Sequence, residues 1–418
     1  ASSGSRHYAR LQAPAMAKDS QPQLLLVSSY TEKLGHVGSP SAPHSTGITI
    51  FRREPPAEGG GFGELVQHST LQPPCVNPTY MCINAAGTHV YVVSENYSSD
   101  EEGNLLLSYG LTKDTGSLNL LGTAVTGGTG ACYVETSADQ EALAVANYGG
   151  GSVALFGLGP DGCAQQRLDF KQHTGASLAD PGRQDAAHAH MATFAPPSGR
   201  YLLAPDLGMD RVLSYEVVRG APGVAASLSD TGRGLALPPG SGPRHLVFHP
   251  SGQVVYVLCE LLSTVAVCSY DAETGALGQL AGPVSTLPEN LQRGPPGQNL
   301  CAALRMSSDG RFLYASNRGH DSIAVFGVAV DGLLCPETPI QWVSTRTGEA
   351  AEALPAQWPP LGCPRDFALT GEQERWAIVA NQDCDSVLVL ERSPDTGRLS
   401  PTGARVACPA PTCVLPLF

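Results

Sequence analysis

His190, Arg244, Glu260 and Arg318 are the residues of this sequence whose types, taken together, could do chemistry. Arginines converging on a pocket bind a carboxylate or phosphate through paired N–H groups. A histidine titrates near neutrality and can move protons. A glutamate beside arginines stays ionised, so it can orient a neighbour or accept a proton. Such a set suits proton transfer on a small anion and needs neither a metal nor a cofactor. Taken singly, each of these residues is more simply a solvated turn charge. Four on adjacent sequence copies point to a site.

The copies are what bring them together. One pattern recurs along the chain: an apolar strand, a small-residue turn, a second strand, a tight turn and a third strand. ALRMSSDGRFLYASNRGHDSIAVFGV, from Ala303, is the clearest example, and relatives begin at Tyr80, Cys132, Met191, His245 and Asp366. A seventh copy is split, with a second strand at QLLLVSSY (23–30) and a first strand at PTCVLPLF (411–418). Joining the two closes a ring and leaves no open sheet edge. The copies lie roughly 52 to 63 residues apart, longer than the blades of Trp-Asp repeat propellers. The expected fold is therefore an all-β, seven-bladed β-propeller with four-stranded antiparallel blades. Residues 1–20 form an extension and 21–418 a single propeller domain.

Two series follow from the repeat. The residues opening the first strands read Tyr80, Cys132, His190, Arg244, Ala302, Arg365 and Thr412. Those just past the second strands read Tyr30, Glu95, Tyr148, Leu207, Glu260, Arg318 and Gln382. Antiparallel neighbours bring the start of one strand to the end of the next, so both series should ring one mouth of the central channel. Glu95, Tyr148 and Arg365 become further candidate substrate contacts, with Arg365 as an outer phosphate contact. His188 and His190 stand at i, i+2, where a strand would give them one face and a metal could bind. No third ligand suggests itself, so no metal is expected. No GxSxG is present to make a nucleophile elbow. Asp206 and Asp210 are read as ties within blade turns, and the glycine runs at 59–63 and 149–151 as hairpin turns.

Composition bounds the rest. Charged residues are 15% of the chain, with Gly 47 and Pro 34, as short strands and tight turns require. A net charge of -13 argues against nucleic-acid binding but not against a small anion held locally. No apolar run approaches the ~18 residues of a membrane span. Twelve scattered cysteines without metal or disulfide spacing read as free thiols in a reducing compartment. The expected location is the cytoplasm. The alternative is a plastid or mitochondrion, if residues 1–20, with Arg6, Arg10 and Lys18, are the remnant of a transit segment. Those residues read equally as a disordered tail, or as sequence ahead of an initiating Met16.

The blocks RQDAAHAHMATF, ANYGGGSVALF, SGPRHLVFHPSG, YASNRGHDSIAVF and CPRDFALTGEQERWAIVANQD resemble the 6-phosphogluconolactonase and carboxymuconate cyclase family of seven-bladed propellers. The resemblance runs from about Gln23 to the C-terminus. It implies an active site of His, Arg, Glu and Arg, falling on His190, Arg244, Glu260 and Arg318. It also implies hydrolysis of 6-phospho-D-glucono-1,5-lactone, a step of the pentose phosphate pathway. Alternatives are a carboxymuconate-type cycloisomerase, or a non-catalytic propeller that binds protein partners through the extended loops 31–47 and 96–104. Cys259 stands where the family often has Asn, and Met191 where it often has Ser.

Overall fold

The computed structural model describes residues 23–32, 45–56, 60–98, 103–220, 226–291, 298–346 and 363–418. The extension at 1–20, most of the loop at 31–47 and residues 99–102 of the loop at 96–104 lie outside these residues. The fold is a seven-bladed β-propeller: seven antiparallel sheets, each with the first strand at the axis and the fourth outside. Blades II to VII are contiguous in sequence. Their first strands are Pro78–Ile83, Ala131–Thr136, Thr193–Phe194, Pro243–Phe248, Leu300–Met306 and Pro364–Thr370. Blade I takes its first strand from the C-terminus. Pro411–Leu417 pairs with Gln23–Ser29, Leu26 facing Leu415 and Val27 facing Val414.

Second strands lie within each sheet, between the first and third, and carry the core packed between blades. Val254–Cys259 and Trp376–Asn381 are buried at every position, which is why they read as unbroken apolar runs rather than alternating ones. Tyrosines within them pin neighbouring blades. Tyr91, Tyr256 and Tyr314 donate their hydroxyls to the carbonyls of Gly162 (2.7 Å), Gly332 (2.6 Å) and Gly397 (2.8 Å), each in an outer hairpin turn of the next blade.

Each first strand carries one extra residue near its start. In blade V, Pro243 pairs with Cys259 and His245 with Leu258, leaving Arg244 without a partner. The same shift leaves out Thr79, Cys132 and Arg365. In blade I it leaves out Thr412. Cys301 pairs with Asn317 and Leu304 with Ala315, so blade VI has one residue too many in the same place, at Ala302. Blade IV reduces its first strand to Thr193–Phe194 and an isolated bridge from Ala189 to Asp206, with His190 in the bulged stretch. A bulge bends its strand and re-aims the side chain of the extra residue. Immediately across, the residue after each second strand returns its N–H to the chain before the bulge, as Glu260 does to Gly242 (2.7 Å) and Glu95 to Asn77 (2.9 Å).

Two expectations are corrected by this register. The first series should open with Thr79, since Tyr80 lies one residue further on and matches Tyr133 and His245. His188 and His190 do not share the face of a regular strand, because blade IV has no continuous strand there. The ties expected of Asp206 and Asp210 are present. Asp206 accepts from the N–H of His188 (2.8 Å) and Asp210 from those of Gly240 (2.6 Å) and Gly242 (2.7 Å).

Candidate functional site

The bulges and strand ends deliver the expected quartet to one mouth of the channel, around the buried carboxylate of Glu260. Arg244 Nε and Arg318 Nη2 each lie 3.0 Å from its Oε2, and His190 Nε2 lies 3.9 Å away. Arg318 is braced by the carbonyls of Leu300 (3.2 Å) and Cys301 (3.0 Å). Arg244 donates through Nη1 to the carbonyl of Ala302 and lies 3.2 Å from His245 Nε2. Its Nε–H has no directed hydrogen bond, so its tie to Glu260 is charge attraction rather than aligned donation.

A residue absent from the sequence-based set completes the cluster. Arg183 Nη2 donates to Glu260 Oε1 at 2.8 Å and to the Tyr148 hydroxyl at 3.2 Å. Its side chain is 32% exposed, against 4% for Arg244 and 14% for Arg318. Arg183 comes from the long crossover before blade IV, outside the repeat, so alignment of copies does not find it. The signal was its place at the head of the RQDAAHAHM block. Three cations thus surround one anion.

The electrostatics follow from that count. Arg318, Arg183 and Arg244 hold Glu260 well below the ordinary carboxylate range despite its burial. Burial, and next the charge of Arg244, push His190 well below the usual imidazole value. His190 is therefore neutral at pH 7, not poised at its midpoint as expected from its residue type. Its ring is fixed edge-on to Tyr148 (5.0 Å), which stacks on His188 (4.6 Å). His188 Nδ1 is spent on the Tyr148 carbonyl at 2.9 Å.

Across the mouth a second carboxylate is satisfied differently. Glu95 accepts from the hydroxyls of Tyr30 (2.9 Å) and Tyr97 (3.0 Å) and pairs with Arg365 Nη2 at 3.5 Å. Arg365 lies over the Tyr30 ring at 5.0 Å and donates to Gln382 at 3.3 Å. Its charge is paired with that of Glu95, and the two form one wall of the site.

The departures from the family pattern are structural. Met191 Sδ accepts from the N–H of Leu246 at 3.2 Å. Burial pushes the Cys259 thiol up to about 12 and raises Cys132, which lies 3.5 Å from His190 Nδ1. All twelve cysteines are free thiols. Among the described residues no cluster of three or more His, Cys, Asp or Glu is placed to hold a metal.

Comparison with known proteins gives the family and agrees with the fold. The model of the family described as "Lactonase, 7-bladed beta-propeller" matches residues 34–416. The chain belongs to the seven-bladed β-propeller lactonase family. The 6-phosphogluconolactonase of Bacillus subtilis (strain 168) is 30% identical over 385 residues, 92% of this chain and 98% of that protein. The solved periplasmic gluconolactonase of Pseudomonas aeruginosa superposes with a TM-score of 0.77 at 29% identity, covering 95% of this chain and 99% of its own. A protein from Lactobacillus plantarum gives 0.76 at 31% identity, covering 95% and 100%.

Proposed function

We propose that the chain hydrolyses a small anionic sugar lactone, 6-phospho-D-glucono-1,5-lactone, at the Glu260 mouth. The observation that carries this reading is the three-to-one excess of arginine over carboxylate in a buried cluster, inside a protein whose net charge is -13. An anionic substrate supplies the missing charge. The names of the Bacillus and Pseudomonas relatives supply the lactone.

Arg183, the most exposed of the three, takes the phosphate. Arg244 and Arg318, braced by backbone carbonyls, face the lactone carbonyl and stabilise the oxyanion that forms there. Neutral His190 accepts a proton through Nε2 as water adds to that carbonyl. Glu260 stays ionised and stabilises the imidazolium. The proton then passes to the ring oxygen as the C–O bond breaks, and the open-chain acid releases the remaining water proton to solvent as the carboxylate. Substrate anions offset the arginine charge that lowers His190 in the empty site, so binding raises the basicity of the base when it is needed. Twelve free thiols suit a reducing compartment such as the cytoplasm.

The test is turnover of the phosphorylated lactone by purified protein, with R318A and H190A alongside. Each variant should lower kcat/KM by about 10²- to 10³-fold. Undiminished turnover in both variants removes the site. Turnover of a carboxymuconate but not of the lactone replaces hydrolysis by cycloisomerisation.

A further inference from the structure

The channel has a second mouth, at the far ends of the first strands. A cavity of about 680 Å³ opens there, lined from blades III to VII. That volume lies within the usual range of small-molecule sites. Its walls are mainly apolar, with Phe194, Pro196, Phe248, Met306 and Leu369 prominent; Arg305 and Glu135 are its charged lining residues, beside Thr136, His249, Ser307 and Ser308. Between the two ends, Tyr80 and Tyr133 of neighbouring blades stack at 4.6 Å, and His245 packs edge-on to Tyr133 at 5.7 Å.

Arg305 is the arginine of the cavity lining. It donates to the Leu304 carbonyl at 2.9 Å and to Asp366 Oδ1 at 2.7 Å, and it lies over the Phe367 ring at 5.7 Å. Its counter-ion sits behind it: the Arg305 side chain is 26% exposed and that of Asp366 3%. Asp366 also accepts from the N–H of Val414 at 3.0 Å. Arg305 lines the cavity and Asp366 does not, and these two bonds hold the guanidinium in place while leaving its other N–H groups to donate.

We propose that this second mouth binds a small carboxylate with a flat apolar body, its anion on Arg305 and its ring between Phe194, Phe248 and Met306. The proposal is independent of the reaction assigned to the Glu260 mouth.

Glu135 gives the binding a pH signature. Burial raises it to about 7, with the Thr193 and Tyr133 hydroxyls and the Phe194 N–H pulling the other way. Tyr133 donates to it at 3.0 Å. The other titratable groups around it are Tyr80 and Cys82 of blade II, the Arg305–Asp366 pair, and His249, whose Nδ1 is engaged by Ser251 at 2.9 Å. Glu374, at the rim, accepts from the N–H of Ser308 at 2.8 Å. Burial raises Cys82 and lowers His249, so both are neutral at pH 7. A bound anion favours protonated Glu135, so affinity falls as pH rises and Glu135 ionises.

The probe is 2-naphthoate, with binding followed by calorimetry from pH 6 to 8, where its own charge is constant. Wild type should bind it and lose about tenfold in affinity over that range as the protonated fraction of Glu135 falls. E135Q should bind with no such trend. R305Q should weaken binding at least tenfold. R305Q/D366N, which removes both charges of the pair together, covers the case in which R305Q alone fails to fold. R318A, at the other mouth, should bind like wild type. Absence of binding, unaltered binding to R305Q/D366N, or loss of binding in R318A each overturns the proposal.

Discussion

Arg244 and Glu260 meet with Arg244 Nε 3.0 Å from Glu260 Oε2 because one is the bulge residue of a first strand and the other follows the end of its neighbour. The pair is set by the ladder of blade V, and Arg318 of blade VI and Arg183 of the crossover converge on it. E260Q should be the most damaging single change at this mouth. It leaves three arginines around a neutral amide, so we expect loss of about 3–5 kcal/mol of stability. At temperatures where the variant stays folded, lactone hydrolysis should fall at least a hundredfold. Thermal denaturation and steady-state assay of the same preparation check both.

Arg183 separates substrate binding from chemistry. R183A should raise KM for the phosphorylated lactone by about 10- to 100-fold and leave kcat within a factor of a few. Removal of a contact made equally in ground and transition states has this signature. The unphosphorylated lactone should show a much smaller change. Equal effects on both substrates would place the phosphate elsewhere.

His190 and His245 are both held well below 6.5 by burial. The unfolded chain binds protons at these positions more readily than the folded one. Their contribution to stability is therefore fully present above about 6.5 and is lost as pH falls below it toward the depressed folded values. Stability should decline from pH 7 to pH 5, and H245N should flatten that decline in denaturant titrations. For the same reason the acid limb of the kcat/KM profile of the free enzyme should lie well below pH 6.5.

The ring and its two residue series were legible because strand, turn and strand recur in register, and repetition converts sequence spacing into position around an axis. Tyr80 was placed one residue out because a bulge adds a residue that a motif alignment cannot distinguish from its neighbour. Only the pairing of Pro78 with Ser94 and Tyr80 with Val93 assigns the place to Thr79. Arg183 was missed because it comes from a crossover with no counterpart in other copies. The neutrality of His190 was not legible because burial and the charge of Arg244 are tertiary facts.

Tyr256 tests the scaffold apart from the chemistry. Y256F removes its 2.6 Å bond to the Gly332 carbonyl while keeping the ring in the core. It should cost about 1 kcal/mol or somewhat more, since a buried acceptor loses its donor. Lactone turnover at 25 °C should be unchanged. A loss of activity without a loss of stability would mean that the blade interface, not only the mouth, sets the geometry of the site.

The cysteines should be bystanders. Burial raises Cys132, and raises Cys259 to about 12, so little thiolate exists at neutral pH. Iodoacetamide at pH 7.5 should leave turnover intact on a native sample while modifying both thiols after unfolding, as peptide mass mapping would record.

Because each bulged residue stands outside the ladder, its side chain can be exchanged without altering any strand pairing. The circle thus has seven sockets, filled here by Thr79, Cys132, His190, Arg244, Ala302, Arg365 and Thr412. Reactivity can be rewritten socket by socket while the wheel that carries it stays the same.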